Sequence, residues 1–410
     1  MVKFIHCADV HLGRSIHIEA GMPSSMKETV LTATYISFKN IIDKAIEEKV
    51  DFLIISGDLY DHEHRSLRGQ WFVKKQVERL NEHHIRVFII HGNHDPIVEK
   101  QSFIHLPNNV HVFSSEGEQV KVVTSGDERV CIHGFSYPEK AYTDNPTCLY
   151  EDAVENQGYH IGVLHGQEKT NQEHEPYAPF ALRDLLQKGY HYWALGHIHE
   201  RKVLSTHPPV IYSGNVQGAH RKEKGPKGAY LVQFNGNEVE TEFFETAPLI
   251  WVEQNVSIDD VDTIDALVQD MIDELPQKEG DTTFLIDLKI IGEGPLHLYL
   301  KKEEHRDELL TLLREEVDEH CWVHRLEVLT SPVIDRDSIR KQEHLLGDIV
   351  RISEQEKQDF QAFDDTISKL QTNRLMKKYI EPFSEDEKVQ IIDSAEKMLL
   401  SSLMEEEEEQ

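Results

Sequence analysis

Five short polar clusters, each directly after an apolar run, constrain the fold of this chain more than any other sequence feature. The runs are rich in Ile, Val, Leu and Phe, a composition typical of buried β-strands. The clusters are Asp9-x-His11, Gly57-Asp58, Gly92-Asn93-His94-Asp95, His165-Gly166 and Gly196-His197-x-His199. Strand ends in an α/β fold gather along one edge of the sheet. Side chains far apart in the sequence are therefore expected to meet at a single site.

Together the clusters supply three Asp, one Asn and five His, a donor set suited to metal ions. This set is larger than a tetrahedral zinc ion uses, and it contains no Cys. We therefore predict two borderline or hard divalent ions, such as Mn²⁺, Fe²⁺ or Mg²⁺. Two such ions about 3.5–4 Å apart clamp an in-line displacement at phosphorus. The predicted reaction is the hydrolysis of a phosphoester.

Each cluster also has a simpler interpretation when it is taken alone. An Asp-x-His triplet is most often a turn with a surface histidine, and Asp58 is equally well placed to cap the next turn. Asn93 favours turns, and a single histidine such as His165 is usually structural. The metal hypothesis therefore depends on all five clusters occurring at strand ends. Within the third cluster, His94 could donate a proton while Asp95 orients its ring.

The order of the predicted elements indicates an α/β chain with three regions. Within residues 1–248, apolar runs alternate with helical patterns up to about residue 200. Short strands follow, and the last pair forms a hairpin whose turn is Asn235-Gly236-Asn237. Residues 249–332 are predicted to form strand, helix, strand, helix, strand, which indicates a small α+β cap domain. Residues 333–410 have apolar residues at helical spacing and no convincing strand. They end in a run of glutamates that we expect to be solvated and disordered.

The composition restricts the class of protein. The formal net charge of −31 argues against a protein that coats DNA with a broad basic surface. No apolar run approaches the roughly 20 residues that span a bilayer, and the first residues do not resemble a signal peptide. The four cysteines lack Cys-x-x-Cys spacing, which favours reduced thiols over disulfides or zinc fingers. We therefore expect a soluble protein of the cytoplasm.

The clusters, in this order, resemble those of the calcineurin-like metallophosphoesterase superfamily over residues 1 to about 245. The segments IHCADVHLG at 5–13 and YWALGHIH at 192–199 are similar to its DNA-repair exonuclease branch. The run KGPKG at 224–228 is similar to the YhaO-like subgroup of that branch, among the SbcD/YhaO-like nuclease subunits. The resemblance implies a metallophosphoesterase β-sandwich flanked by helices, in α/β/β/α layers.

The resemblance also implies a role for each site residue. One metal ion would be held by Asp9, His11, Asp58 and His199. The other would be held by Asp58, Asn93, His165 and His197, so that Asp58 bridges the two ions. His94 would be the catalytic residue near the leaving oxygen, with Asp95 behind it.

The function implied by the resemblance is that of a metal-dependent DNA exonuclease in a DNA-repair complex. Its partner would be an SbcC-like coiled-coil ATPase bound through residues 337–403, and a homodimer is left open. Two alternatives remain: a small-molecule or nucleotide phosphodiesterase or phosphatase of the same fold, and a scaffold without activity. DNA binding would require a strip of basic residues that makes the electrostatic potential near the site positive, against the net negative charge of the chain. The candidate residues for this strip are Arg65, Arg68, Arg201, Lys202, Arg221, Lys222, Lys224 and Lys227.

Overall fold

The computed structural model describes most of the chain as two compact units. The described residues are 1–17, 21–61, 66–97, 104–154, 157–169, 177–236, 238–277, 280–372 and 383–408. The first unit comprises Met1–Gln254, Leu275–Leu288 and Arg314–Arg325. The second comprises Asn255–Glu274, Lys289–Leu313 and Leu326–Gln410. The division into three regions made from the sequence stays a prediction.

The first sheet of the first unit contains the strands that precede the first three polar clusters. Its six strands are β1 (Val2–Cys7), β2 (Phe52–Ser56), β3 (Arg86–Ile90), β4 (Val110–Val112), β11 (Gly228–Asn235) and β12 (Glu238–Glu245). They lie in the order β12-β11-β1-β2-β3-β4. Strands β1 to β4 are parallel, whereas β11 and β12 form the predicted antiparallel hairpin. The polar clusters after β1, β2 and β3 therefore share one edge.

The second sheet contains the strands that precede the two remaining clusters. Its strands are β5 (Glu118–Val123), β6 (Arg129–Gly134), β7 (Tyr159–His165), β8 (Tyr192–Gly196), β9 (Lys202–Thr206) and β10 (Pro209–Tyr212), in the order β5-β6-β7-β8-β10-β9. The sequence predicted alternation with helices up to about residue 200. Between β4 and β7, however, the described residues contain only strands and a short 3₁₀ helix, Pro146–Leu149. Strand β5 is a partly exposed edge strand, so it lacks the continuous apolar run that marks β2 or β3.

The two sheets pack face to face, and helices cover their outer faces. Side chains in β1 and β2 alternate between two cores, as the two-residue period of a strand requires. Phe4, Phe52 and Ile54 contribute to the core between the sheets. Ile5 and Leu53 pack with helices α1 (Ser24–Glu47) and α2 (Leu67–Glu82), while α3 (Leu182–Leu186) packs on the second sheet. This arrangement confirms the predicted α/β fold with α/β/β/α layers.

Residues 249–331 follow the predicted order of strand, helix, strand, helix, strand, with one additional short helix. The elements are β13 (Leu249–Ser257), α4 (Ile264–Asp273), β14 (Thr283–Glu293), α5 (His297–Lys301), α6 (Glu303–Glu316) and β15 (Cys321–Ser331). The three strands form a sheet in the order β13-β14-β15. Thr263 begins α4 by accepting a hydrogen bond from the Ala266 N–H, as an N-cap threonine does.

The described residues from 333 onward form helices joined by short connections, with no strand among them. The helices are α7 (Arg336–Arg340), α8 (Leu345–Asp359), α9 (Gln361–Thr372) and α10 (Glu385–Glu408). A small core of Ile339, Leu346, Val350 and Leu400 joins α7, α8 and α10. Helix α10 continues into the final glutamates, which the sequence analysis expected to be disordered. Among the described helices, none is long and apolar enough to cross a membrane.

A buried pair of histidines in the second sheet gives the fold a predictable response to acid. Nε2 of His133 lies 2.9 Å from Nδ1 of His160, and both residues are buried. Burial, together with the neighbouring His160, lowers the pKa of His133 to about 3. Unfolded histidine has a pKa of about 6.5, so between these values the unfolded chain binds more protons. The free energy of unfolding should therefore fall as the pH is lowered from about 6.5 to about 3.

We expect the midpoint temperature of thermal unfolding to decrease as the pH is lowered from 7 to 4. The decrease should be less steep in His133→Gln. The variant removes a group that only the unfolded chain protonates in this range. Unfolding followed by circular dichroism at several pH values measures the slope. The matched control is His207→Gln, which changes an exposed histidine and should keep the slope of the unchanged protein. An identical slope for His133→Gln would contradict the prediction.

Candidate metal centre

The residues predicted to bind metal lie together where the ends of the two sheets meet. Backbone hydrogen bonds join the turns after β1 and β2: the Asp9 N–H donates to Gly57 O at 3.1 Å, and the His11 N–H to Asp58 O at 2.9 Å. His165, the last residue of β7, lies against the end of β2, with its Nδ1 2.9 Å from Ser56 O. The structure therefore brings the clusters of both sheets to one site.

The first predicted ligand set forms a tight group around two facing imidazole rings. Nε2 of His11 lies 3.0 Å from Nε2 of His199. Asp9 Oδ1 lies 4.0 Å from His199 Nε2, and Asp58 Oδ2 lies 3.7 Å from His11 Nε2. Asp9, His11 and Asp58 are each at most 2 % exposed. Nitrogen and oxygen donors therefore point into the same small volume.

The second predicted set is arranged around the side-chain oxygen of Asn93. This Oδ1 lies 3.0 Å from His165 Nε2 and 3.2 Å from His197 Nδ1. Asp58 Oδ2 lies 3.4 Å from His165 Nε2. The same carboxylate oxygen is thus close to one histidine of each set. This is the position that a bridging ligand requires.

These residues fit a pair of divalent ions. Among the residues that the structure describes, three groups each have ligand atoms within 4.8 Å of one another. They are Asp9 with His11 and His199; Asp9 with Asp58 and His165; and His11 with Asp61 and His94. Two imidazole nitrogens that face each other at 3.0 Å, next to buried carboxylates, make a donor set for a cation. A calcineurin-like fold implies a dimetal site, and the cluster found here is a candidate for it.

Burial and charge shift the pKa values of the acidic ligands in opposite directions. Burial raises the pKa of Asp9, although His165 and His199 act against this shift. Burial would also raise the pKa of Asp58, but the histidines around it, His165 first, hold it well below its usual range. Burial alone would lower the pKa of His165, yet Asp58 beside it raises that pKa to about 9. The surrounding histidines thus outweigh burial at Asp58, whereas burial prevails at Asp9.

Four of the predicted ligands have a backbone conformation that L-residues seldom adopt. Asp9, His11 and Asp58 have φ values of 51°, 43° and 51°, and His197 has a φ of 100°. Non-glycine residues in this region cost of order 1–3 kcal/mol each and cluster at functional sites. The turns after β1, β2 and β8 therefore hold these side chains at an energetic cost to the fold.

His94 lies beside the predicted ligands, but its partner is not the residue that the sequence analysis assigned. Its N–H donates to Asp58 Oδ1 at 2.9 Å, and its Nδ1 lies 3.5 Å from Asp61 Oδ1. The contact with Asp61 raises the pKa of His94, although partial burial acts against it.

The orienting role predicted for Asp95 therefore needs correction. Asp95 Oδ2 accepts hydrogen bonds from the N–H groups of Leu59 and Tyr60, at 2.9 and 3.2 Å. Its Oδ1 accepts from the Gly92 N–H at 2.9 Å. Asp95 thus holds the two loops together, and Asp61 faces the His94 ring. The sequence feature that could have identified Asp61 is its position three residues after Asp58 on the same loop.

A second residue that the sequence analysis missed is Glu223. Its Oε1 lies 2.5 Å from His199 Nδ1. Burial would raise the pKa of Glu223, but the hydrogen bond with His199 outweighs burial and holds it well below its usual range. Glu223 lies between Lys222 and Lys224 in an irregular segment after β10. No local pattern connects it with a histidine 24 residues earlier.

Two glycines allow the ligands to approach the backbone closely. A Cβ added at Gly92 would lie 2.3 Å from Asp58 Oδ1 and 2.7 Å from His165 Nε2. A Cβ at Gly57 would lie 2.2 Å from His165 Nδ1. All three distances are far below van der Waals contact, so a side chain at either position would displace the predicted ligands.

Comparisons with known proteins find metallophosphoesterases that this chain resembles. The family model for calcineurin-like phosphoesterase matches residues 2–201, a range that contains all seven predicted ligands. The uncharacterized metallophosphoesterase YhaO of Bacillus subtilis (strain 168) is 34% identical over 408 residues, which cover 98% of each chain. The DNA double-strand break repair protein Mre11 of Methanocaldococcus jannaschii is 28% identical over 58% of this chain and 64% of its own. Mre11 of Sulfolobus acidocaldarius is 22% identical over 80% of this chain and 84% of its own.

We expect Gly92→Ala to weaken Mn²⁺ binding at least tenfold, since even substitutions behind metal ligands cost about 10–100-fold in affinity. The added methyl group would occupy the space of the Asp58 carboxylate and the His165 ring. Calorimetric titration of metal-free protein with MnCl₂ measures the affinity. The matched control is Gly126→Ala, where the nearest atom to an added Cβ lies at 3.7 Å. Equal affinities for the two variants would show that the site is not as closely packed as described.

Proposed function

The chain belongs to the calcineurin-like metallophosphoesterase family, and we propose that within it the protein is a metal-dependent DNA exonuclease. Membership of the family makes it a hydrolase that acts on phosphoester bonds. The observation that carries the proposal is the position of Asp58, between His11 and His165 and in contact with the His94 N–H. We propose Mn²⁺ as the ion in both sites, with Fe²⁺ or Mg²⁺ as alternatives.

We propose that the ligands divide as the resemblance implies. Asp9, His11, Asp58 and His199 would hold one ion, and Asp58, Asn93, His165 and His197 the other. A pair of divalent ions supplies Lewis acidity and neutralises the charge that develops on phosphate oxygens. The residues of the chain would position the two ions, since Asp58 lies within 3.7 Å of a histidine of each set.

His94 is the proposed proton donor to the leaving oxygen. Its side chain is 34% exposed, so the ring can reach a substrate, while its backbone N–H is tied to Asp58. Asp61, 3.5 Å from Nδ1, would orient the ring and leave Nε2 directed away from this carboxylate. A positioned donor of this kind contributes about 10²–10⁴ to the rate.

The relatives named Mre11 support DNA as the substrate class. The observed contacts of the predicted basic strip keep the alternative of a small phosphodiester or nucleotide open. Arg221 lies 3.4 Å from Asp287, Lys224 pairs with Glu253, and the buried Lys227 donates to His199 O. Lys202, Lys222 and Arg68 are exposed, and Arg65 lies outside the described residues. Part of the strip is thus already engaged by the protein itself.

We also propose that an SbcC-like coiled-coil ATPase binds the helical region 337–403 and that the protein works in the cytoplasm. Helices α8 and α10 bury one apolar stripe in their shared core and expose other apolar side chains. Ile352 is 60% exposed and Met398 is 71% exposed. Exposed apolar residues on neighbouring helices suit the groove-type contacts that helical partners use. Residues 373–382 of this region lie outside the described part, and a homodimer stays an alternative partner.

We expect the protein with Mn²⁺ to degrade linear duplex DNA from its ends, and His94→Ala to lower the rate about 10²–10⁴-fold. The variant removes the proposed proton donor and retains the predicted ligands, so its Mn²⁺ content should stay near that of the unchanged protein. Gel assays on duplex, hairpin and single-stranded DNA, beside assays on p-nitrophenyl phosphodiesters, measure the activity. The control is His207→Ala at an exposed site. Activity confined to the small esters would replace the DNA proposal with the alternative.

For the partner, we expect the double variant Ile352→Asp, Met398→Asp to lose binding to an SbcC-like coiled-coil ATPase. Charged side chains would oppose burial of both exposed positions in an interface. Pull-down with the full-length tagged protein measures the loss. The control, Val123→Asp, changes a 66% exposed residue of β5 and should bind normally. Retained binding by the double variant would place the ATPase contact elsewhere.

A further inference from the structure

A buried carboxylate supports one of the predicted ligand histidines from behind. Glu223 is 8% exposed, and its Oε1 lies 2.5 Å from His199 Nδ1. The other ring nitrogen of His199, Nε2, faces His11 Nε2 at 3.0 Å and Asp9 Oδ1 at 4.0 Å. His199 therefore lies between Glu223 on one side and the predicted metal ligands on the other.

The segment after β10 holds Glu223 in a fixed orientation. Its second oxygen, Oε2, accepts hydrogen bonds from the Ala219 N–H at 2.6 Å and from Asn215 Nδ2 at 3.1 Å. These two donors occupy Oε2 and leave Oε1 directed at the His199 ring. The carboxylate thus has little freedom to rotate away from His199.

The same segment also holds the backbone of His199. The His199 carbonyl oxygen accepts from the Asn215 N–H at 3.2 Å and from Lys227 Nζ at 3.1 Å. Both the ring and the peptide group of His199 are therefore fixed by residues 215–227. This segment follows the last strand of the second sheet, so it adds a contact that the predicted ligand clusters do not contain.

The contact with Glu223 selects one tautomer of His199. An ionised carboxylate can only accept hydrogen bonds, so Nδ1 must carry the proton. Nε2 then presents its lone pair to the volume shared with His11 and Asp9, as a metal ligand must. A carboxylate behind a ligating imidazole also increases its basicity and fixes the plane of its ring.

His165 has a different kind of support. Its Nδ1 lies 2.9 Å from Ser56 O, a neutral backbone carbonyl. Its Nε2 faces Asn93 Oδ1 and Asp58 Oδ2. The two predicted ion sites are therefore unequal: a histidine of one is supported by a carboxylate, and a histidine of the other by a carbonyl.

We propose that Glu223 is a positioning residue that tightens the ion site of Asp9, His11, Asp58 and His199 selectively, with little effect on the second site. This inference rests on the proposed metal centre and is independent of whether the substrate is DNA. Glu223 touches neither substrate nor ion and acts through the His199 ring.

The test is the binding of Mn²⁺ to metal-free, full-length protein, followed by calorimetry and by the electron paramagnetic resonance signal of free Mn²⁺. Glu223→Gln keeps the size of the side chain and an acceptor oxygen for the Ala219 N–H but removes the charge. The matched control is Glu253→Gln, which also removes one carboxylate charge but at the ion-pair partner of Lys224 in the same segment. The thermal midpoint of each metal-free protein reports on the integrity of the segment.

We expect the unchanged protein to bind two ions and Glu223→Gln to lose about 10–100-fold in affinity at one of them. The other affinity, and both affinities of Glu253→Gln, should stay as in the unchanged protein. Binding by Glu223→Gln that matches the unchanged protein would overturn the inference. Equal weakening of both sites with a lowered metal-free midpoint would also overturn it, because Glu223 would then only stabilise the segment.

The outcomes separate this inference from the proposed function. The protein could bind two ions, with Glu223→Gln weakening only one of them, and still fail to hydrolyse DNA. That result would overturn the nuclease proposal and leave the role of Glu223 intact. An unchanged protein that takes up no Mn²⁺ would overturn the metal centre and this inference with it.

Discussion

The architecture of the site depends on the need to balance two carboxylates buried side by side. Asp9 and Asp58 are each 1% exposed, and a buried charge is stable only when it is paired or bound to a metal. Neither aspartate has a lysine or arginine among the described ion pairs; the groups around them are histidines from both sheets. The packing of one sheet's edge against the other therefore gives Asp58 its neighbours. The same requirement explains why Gly57 and Gly92 leave room for these side chains.

The backbone conformation of the turns at the site is a second constraint on the structure. Three predicted ligands, Asp9, His11 and Asp58, lie in the left-handed region of φ, where a non-glycine residue costs of order 1–3 kcal/mol. Such conformations persist when the surroundings determine them, and here the turns are joined by backbone hydrogen bonds between residues 9–12 and 57–59. The strands that precede them are buried on both faces between two hydrophobic cores. The rigid core thus supports turns that would not be stable alone.

The sequence predicted those features of the site that local rules determine. An apolar run followed by ligand-type residues marks a strand end, so Asp9, Asn93 and His199 could be placed near one another. The partner of His94 depends instead on which way two carboxylates turn in the folded chain. Asp95 is taken up by three backbone N–H groups, and Asp61 faces the ring. Glu223 meets His199 only through tertiary packing, and edge strand β5 lacks an apolar run, so neither had a local signal.

The acidity of the chain determines how a phosphodiester could approach the site. With a net charge of −31 and carboxylates at its centre, the protein without bound cations would repel a polyanion. Two basic residues of the predicted strip do not simply reverse this field, because Lys224 is paired with Glu253 and Lys227 is directed at a carbonyl of the protein. Bound ions are often the largest local charges in a site, and two divalent cations would exceed the charge of Asp9 and Asp58 together. Attraction of substrate would therefore depend on the same cluster that would perform the chemistry. The support of predicted ligands such as His199 would then matter for binding as well as for turnover.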